Sequence, residues 1–217
     1  MKLKKLLPVT LALMLGTTAV MAASEANITS STAEYNLTLA DYLKITTEQA
    51  PATSAVSFGT DYSSATIDNA LVGQFKVISN NREQILYLVG TCPTADGTAK
   101  SLYGADTNCE NLKMVLTKTD VPPSGTNVTN ITGGTPELKD NTDAIAFALN
   151  IATTHKDGAT ETPLTAAWDT DKVKYTMKNG VATFTCTLQG ANVANTFDTH
   201  DTDGTYQATL TMTETAI

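Results

Sequence analysis

Basic charge is scarce in this chain. Lys and Arg total 14 against 22 Asp and Glu, and charged residues make up only 17% of 217 positions. A nucleic-acid binder needs a basic surface that displaces the counterions of phosphates, so nucleic acid is not expected as a partner. Histidine is limited to His155 and His200, and neither stands at a zinc-ligand spacing from a second His, a Cys or a carboxylate. The acidic run Asp198, Asp201, Asp203, Gly204 is similar to a calcium loop, but it lacks the every-second-residue spacing and the distal Glu that close such a site. No metal and no cofactor are therefore expected. The chain also has no Gly-x-Ser-x-Gly elbow, no phosphate-cradling glycine loop and no acid pair that stands out from the acidic background. No catalytic residues emerge, and an enzyme is not expected. Long apolar runs are missing too, so no helix is expected to span a membrane.

The longest apolar stretch, Leu6 to Leu15, follows Lys2, Lys4 and Lys5 and precedes Val20 and Ala22 at the −3 and −1 positions of a cleavage site. This is the pattern of a secretory signal peptide over residues 1–22. Its removal takes three of the 14 basic residues and none of the 22 acidic ones, leaving 11 against 22 and a formal charge of −11. Such acidity suits the solubility of an exported surface. Export also bears on the three cysteines, an odd number. Cys92 and Cys109 flank a loop holding Pro93, Gly97 and Gly104, whereas Cys186 alternates with Phe184 and Leu188 as in a strand. The expected disulfide is Cys92 with Cys109, contributing about 3 kcal/mol by chain entropy. Cys186 is then a buried thiol acting as a small hydrophobe.

What the chain does have is period-two alternation. Tyr206, Ala208, Leu210 and Met212 alternate with Gln and Thr, the pattern of one strand with a single buried face. The chain stops at Ile217, so no later strand is expected at that strand's far edge. Tyr35, Leu37, Leu39, Leu43 and Ile45 share one parity, as one strand or as two hinged near Ala40 and Asp41. Val56 and Phe58 suit a short edge strand. Leu71 to Val77, Gln84 to Val89, Leu112 to Leu116 and Ala144 to Thr153 add four more strands, the second apolar on both faces and so central. Asn80 and Asn81 suit a tight turn. Breakers between Val121 and Leu138 exclude a packed element of any length. Around Asn179 and Gly180 a two-residue hairpin would set Met177 opposite Ala182, Tyr175 opposite Phe184 and Val173 opposite Cys186. Seven or eight strands with no convincing helix predict an all-β chain, an immunoglobulin-like β-sandwich.

The signal peptide, the arm beginning Ala26-Asn27-Ile28-Thr29, the Thr-rich strands and the ending Gly204-Thr205-Tyr206-Gln207-Ala208-Thr209-Leu210-Thr211-Met212-Thr213 together resemble bacterial pilins assembled by a chaperone and an usher. The colonisation-factor-like group is the nearer one. The resemblance implies an incomplete sandwich whose open groove is filled by the N-terminal arm of the next subunit, and by a periplasmic chaperone before assembly. It implies a homopolymer on the cell surface, a fimbrium serving adhesion or biofilm formation, with an outer-membrane usher as a further partner. Carried onto this sequence, the groove is lined by Tyr206, Ala208, Leu210 and Met212. The donor arm lies in 23–41, with 42–217 as the sandwich. Ile28 begins the donor, but Ser30, Thr32 and Glu34 continue its phase where the group has apolar residues. Tyr35, Leu37 and Leu39 are the alternative donors, which would start the domain's first strand near Leu43.

Two other possibilities stand beside this one. Tyr35 to Ile45 can be the domain's own first strand, closing its sheet within one chain. The protein can also be a secreted or surface monomeric β-sandwich that binds carbohydrate or a host protein through Trp168 or Tyr103 in a loop. Either aromatic can equally be a plug in the core.

Overall fold

The computed structural model describes residues 37, 39–49, 57–58, 65–104, 107–129, 143–191 and 203–214. The expected signal peptide, Ile28, Tyr35, His200 and Asp201 lie outside them. From Ala40 onward the chain forms one compact unit.

The first half carries strands β1 (Leu43–Gln49), β2 (Ser57–Phe58), β3 (Ala65–Ser79), β4 (Gln84–Thr94), β5 (Gly97–Lys100), β6 (Leu102–Tyr103) and β7 (Lys113–Lys118), then a one-turn helix α1 (Gly125–Thr129). The second half carries β8 (Ala144–Asp157), β9 (Thr160–Thr162), β10 (Ala166–Asp169), β11 (Lys172–Met177), β12 (Gly180–Ala191), β13 (Tyr206–Gln207) and β14 (Thr209–Thr213). The larger antiparallel sheet runs β1-β3-β12-β8-β7-β13, with β2, β6 and β9 paired at its margins. The smaller runs β10-β11-β4-β14, with β5 also on β4. The protein is an all-β sandwich.

Alternation explains the layering. Along β4 every second residue is buried, from Gln84 through Leu86 and Leu88 to Cys92 and Thr94. Phe75, Val77, Phe147, Leu149, Phe184 and Leu188 of the larger sheet meet Leu86, Leu88, Val173, Tyr175 and Met177 of the smaller one in a single core. A satellite cluster of Cys92, Ala99, Tyr103, Val115, Val128, Ala144 and Ala146 fills one end. There the Tyr103 hydroxyl donates to the carbonyls of Lys100 and Val128, at 3.0 and 2.9 Å. Five residues of helix therefore survive among the breakers after Val121. Their first amide, Gly125 N, donates to Asp96 Oδ1 at 2.8 Å, which holds the Asp96 carboxyl below its ordinary range.

The hairpin expected at Asn179 and Gly180 does not form. β11 pairs with β4 in the smaller sheet, and β12 pairs with β3 and β8 in the larger. The apolar matching seen in the sequence is satisfied across the core instead. Tyr175 and Phe184 meet edge to face with ring centroids 5.0 Å apart and planes at 68°. Two strands that bury the same side chains against each other leave one sequence signature whether they share a sheet or face across a sandwich. The turn chemistry tells them apart, because a type I′ turn needs positive φ at both central residues. Here Gly180 has φ 132° and Asn179 is not among the positive-φ residues.

Asn80 and Asn81 behave likewise: neither takes positive φ, and the chain passes there from the larger sheet to the smaller. β1 begins at Leu43, as the later of the two expected starts had it, and neither Leu37 nor residues 39–42 are strand. The expected short edge strand is β2, and Ala144 onward is strand rather than helix. The alternation over Tyr206 to Met212 is not one strand. β13 pairs with β7 in the larger sheet, the chain crosses at Ala208, and β14 pairs with β4 in the smaller.

Candidate assembly edge

β4 has neighbours on both sides. Leu88 lies between Val173 of β11 and Met212 of β14, and Thr91 lies between Lys100 of β5 and Thr209 of β14. β11 and β5 therefore follow one another along one edge of β4, and β14 takes the other. β14 is the outermost strand of its sheet, and no described strand pairs with its far edge. A strand in that position presents backbone donors and acceptors that an added strand can take up. Its side chains follow the half-buried pattern: Met212 is buried, Leu210 half-buried, and Thr209 and Thr211 are exposed. Leu210 and Met212 thus face the core side of the smaller sheet. Tyr206 serves the larger one, where it pairs with Lys118. Ala208 at the crossing packs against both clusters. The four residues expected to line one groove share the apolar side of the chain but divide between two sheets.

Asn80 fixes the start of β1. Its side-chain amide acts as a spare peptide group: Oδ1 accepts from Tyr42 N at 2.7 Å and Nδ2 donates to Ala40 O at 2.9 Å. Its own backbone N donates to Tyr42 O at 3.1 Å. This extends the β1–β3 ladder by side chain just beyond its last backbone pair, Leu43 with Ser79. Of the expected donor residues, Leu37 and Leu39 are described and are 68% and 77% exposed; Ile28 and Tyr35 lie outside the described residues. Tyr42 is exposed as well.

The expected Cys92–Cys109 bridge is absent. Cys92 lies on the inward face of β4 in the satellite cluster, whereas Cys109 packs against the main core at positive φ. The loop assumed between them contains the β4–β5 hairpin, which already closes it by backbone pairing from Thr91–Lys100 to Thr94–Gly97. Cys186 is fully buried on β12, as expected. Burial pushes the Cys186 thiol up to about 12 and the Cys92 thiol up to about 11, the latter partly offset by a hydrogen bond with Thr117. Neither is a nucleophile at neutral pH.

Tyr103 is a plug in the core, 3% exposed. Trp168 is half-buried against the main core, and its ring lies so close over Gly104 that a Cβ there would meet it at 2.7 Å. The Lys100 ammonium covers both rings, at 4.7 Å from the Tyr103 centroid and 5.3 Å from that of Trp168. Burial lowers the Lys100 pKa, and Asp171 opposes the shift. Neither aromatic projects as a loop-borne contact. Among the described residues no group of three or more His, Cys, Asp and Glu is placed to hold a metal ion, and no helix is long and apolar enough to cross a membrane.

Sequence reasoning missed two features. The role of Asn80 was hidden behind its commoner use in turns. Residues 158–171, between β8 and β11, carry β9 and β10, too short to show a period. Comparison with described protein families, curated proteins and solved structures finds no match.

Proposed function

We propose that the chain is a structural subunit of an extracellular fimbrial filament, an immunoglobulin-like sandwich completed by the N-terminal arm of a neighbouring copy. The observation that carries this reading is the position of β14 as an edge strand whose far side meets no described strand. Strand addition supplies the backbone partners that such an edge lacks, and alternate side chains of the donor enter the core side. Leu37 and Leu39 share one parity and are exposed, as donor anchors should be before assembly. Each anchor of that size contributes about 1.5–3 kcal/mol on full burial, so a few suffice for a durable joint. The joint is head to tail and does not close on itself, so it propagates as a filament. Export through the periplasm, with a chaperone holding the edge and an usher passing subunits outward, belongs to the same proposal, as does a role in adhesion or biofilm formation.

Gel electrophoresis of protein sheared from the cell surface, with and without boiling, tests it, alongside a variant lacking residues 23–39. The expected result is a ladder of multimers that collapses on boiling and is absent from the truncated variant. A single monomer band indifferent to boiling overturns the proposal and favours a self-contained sandwich.

A further inference from the structure

β1 ends the larger sheet opposite β13, and no described strand pairs with its far side. Its sequence from Leu43 to Gln49 holds neither proline nor glycine, and the bulge in its pairing with β3 comes only between Thr47 and Gln49. The stretch before that bulge is a straight edge without the devices that usually blunt one. Which backbone groups it leaves open follows from its first rung. Asn80 N donates to Tyr42 O, and the Asn80 side chain accepts from Tyr42 N, so Tyr42 directs its backbone toward β3. Direction alternates along an antiparallel ladder, so Lys44 and Thr46 also face β3, across from Ile78 and Lys76. Leu43, Ile45 and Thr47 therefore direct N–H and C=O away from the sheet. The side chains of Leu43 and Ile45 pack against the main core but are only half-buried there, so a strand laid beside them adds cover.

We infer that β1 is the interface of a two-fold dimer, pairing antiparallel with β1 of a second copy about Ile45. Ile45 then lies opposite its own counterpart and Leu43 opposite Thr47 of the second copy, each rung closing with a pair of backbone hydrogen bonds. On the outward face, Lys44 comes opposite Thr46 of the second copy. The Thr46 hydroxyl donates to Glu48 Oε1 at 3.0 Å, which holds a carboxylate diagonally beside the arriving ammonium. The two-fold axis makes that contact twice. An unrelated strand would have to reproduce this charge order, whereas a second copy does so by symmetry. With Lys76 alongside Thr46 on β3, the edge also escapes the acidity of a chain whose formal charge is −8. The joint uses neither β14 nor the N-terminal arm, so it stands apart from strand exchange.

Sedimentation velocity on the chain from residue 23, over a range of concentrations, tests this. The expected result is a concentration-dependent equilibrium between monomer and dimer. Lys44→Glu should weaken the dimer at least about fivefold, because both diagonal contacts turn repulsive, and Lys44→Glu/Glu48→Lys should restore it to within about threefold of the parent. Thr47→Pro removes an outward N–H from an exposed residue without touching the ladder to β3, and should abolish the dimer. Deleting residues 23–39 should leave the dimer in place while removing the boil-sensitive ladder of strand exchange, so the two readings fail separately. A monomer at every concentration, a dimer lost with residues 23–39, a dimer that survives Thr47→Pro, or a charge swap that keeps the parent's thermal midpoint without restoring association would each overturn the inference.

Discussion

Replacing Asn80 by Ala should loosen residues 40–42, just ahead of β1, while leaving the sandwich folded. The substitution deletes two hydrogen bonds, from Tyr42 N and to Ala40 O, and keeps the backbone bond from Asn80 N to Tyr42 O. Both lost bonds are exposed, so water takes over the freed groups and no desolvation penalty arises. At about 0.5–1 kcal/mol per neutral exposed bond, the expected loss is about 1–2 kcal/mol, felt locally at residues 40–42. Hydrogen exchange resolves the effect by residue. Exchange of the Tyr42 amide should accelerate by about five- to thirtyfold if it opens locally, while amides of the buried β12 core keep the parent rate. Asn80→Asp is the informative control, because its carboxylate still accepts from Tyr42 N but cannot donate to Ala40 O. It should retain most Tyr42 protection. If Tyr42 exchanges at the parent rate in Asn80→Ala, the side-chain bridge does not hold the start of β1.

Alkali should weaken the fold, because buried thiols keep protons that the unfolded chain releases. The folded pKa values of Cys186 and Cys92 are raised, so their contribution is intact below about pH 9 and lost as pH climbs toward 11–12. By about pH 10 the loss is on the order of 1 kcal/mol per thiol, read as a lower urea midpoint. Tyr103 and Tyr175, also raised by burial, add to it above about pH 10, while the lowered Lys100 pKa acts in the opposite sense just below its ordinary value. A Cys92→Ala/Cys186→Ala variant should show a flatter pH dependence, and an unchanged slope between about pH 8 and about pH 10 would refute the assignment. Phe184→Ala removes one partner of the edge-to-face pair at the centre of the core and should cost about 3–5 kcal/mol by chemical denaturation; a loss below about 1 kcal/mol would contradict the packing described. Gly180→Ala should cost about 3 kcal/mol, since φ is 132° and the new Cβ would press into the Lys156 carbonyl oxygen; a neutral thermal scan would show that the sheet crossing is built differently.

Much of this architecture was legible in the sequence because burial on one face writes period two directly into the chain. β8 and the two halves of the ending announce themselves that way, whereas β4 shows as a run apolar on both faces. Partnership between strands was less legible. Val173, Tyr175 and Met177 match Cys186, Phe184 and Ala182 whether neighbouring in a sheet or facing across a core, so alternation could not separate the hairpin from the crossing. The break at Ala208 escaped for a related reason: a strand that changes sheets keeps its apolar side toward the same core and leaves the pattern intact. The Cys92–Cys109 expectation failed because Gly97 was taken for loop material, whereas its φ of 134° closes the β4–β5 turn. At the candidate site, parity groups Leu37 and Leu39 with Leu43 and Ile45, but only the later two lie in a strand. The clamp by Asn80 was not legible, since it joins residues about 40 positions apart that no local pattern connects.

Repeated passage between the sheets has a kinetic consequence. The chain leaves the larger sheet after β3, returns at β6, leaves after β9, returns at β12 and leaves again at Ala208, so neither sheet can be completed from a continuous stretch of sequence. Gln74 and Thr185, joined side chain to side chain across β3 and β12, are 111 residues apart. Loop closure over such distances must precede the contacts that reward it, which places this topology among slow folders, in the range of milliseconds to seconds or beyond. During that interval β4 waits for β14, which follows it by more than 110 residues, with one edge bare and its apolar residues only half covered. A newly made chain therefore passes through a sticky, aggregation-prone phase whose length is set by connectivity rather than by the stability of the finished sandwich.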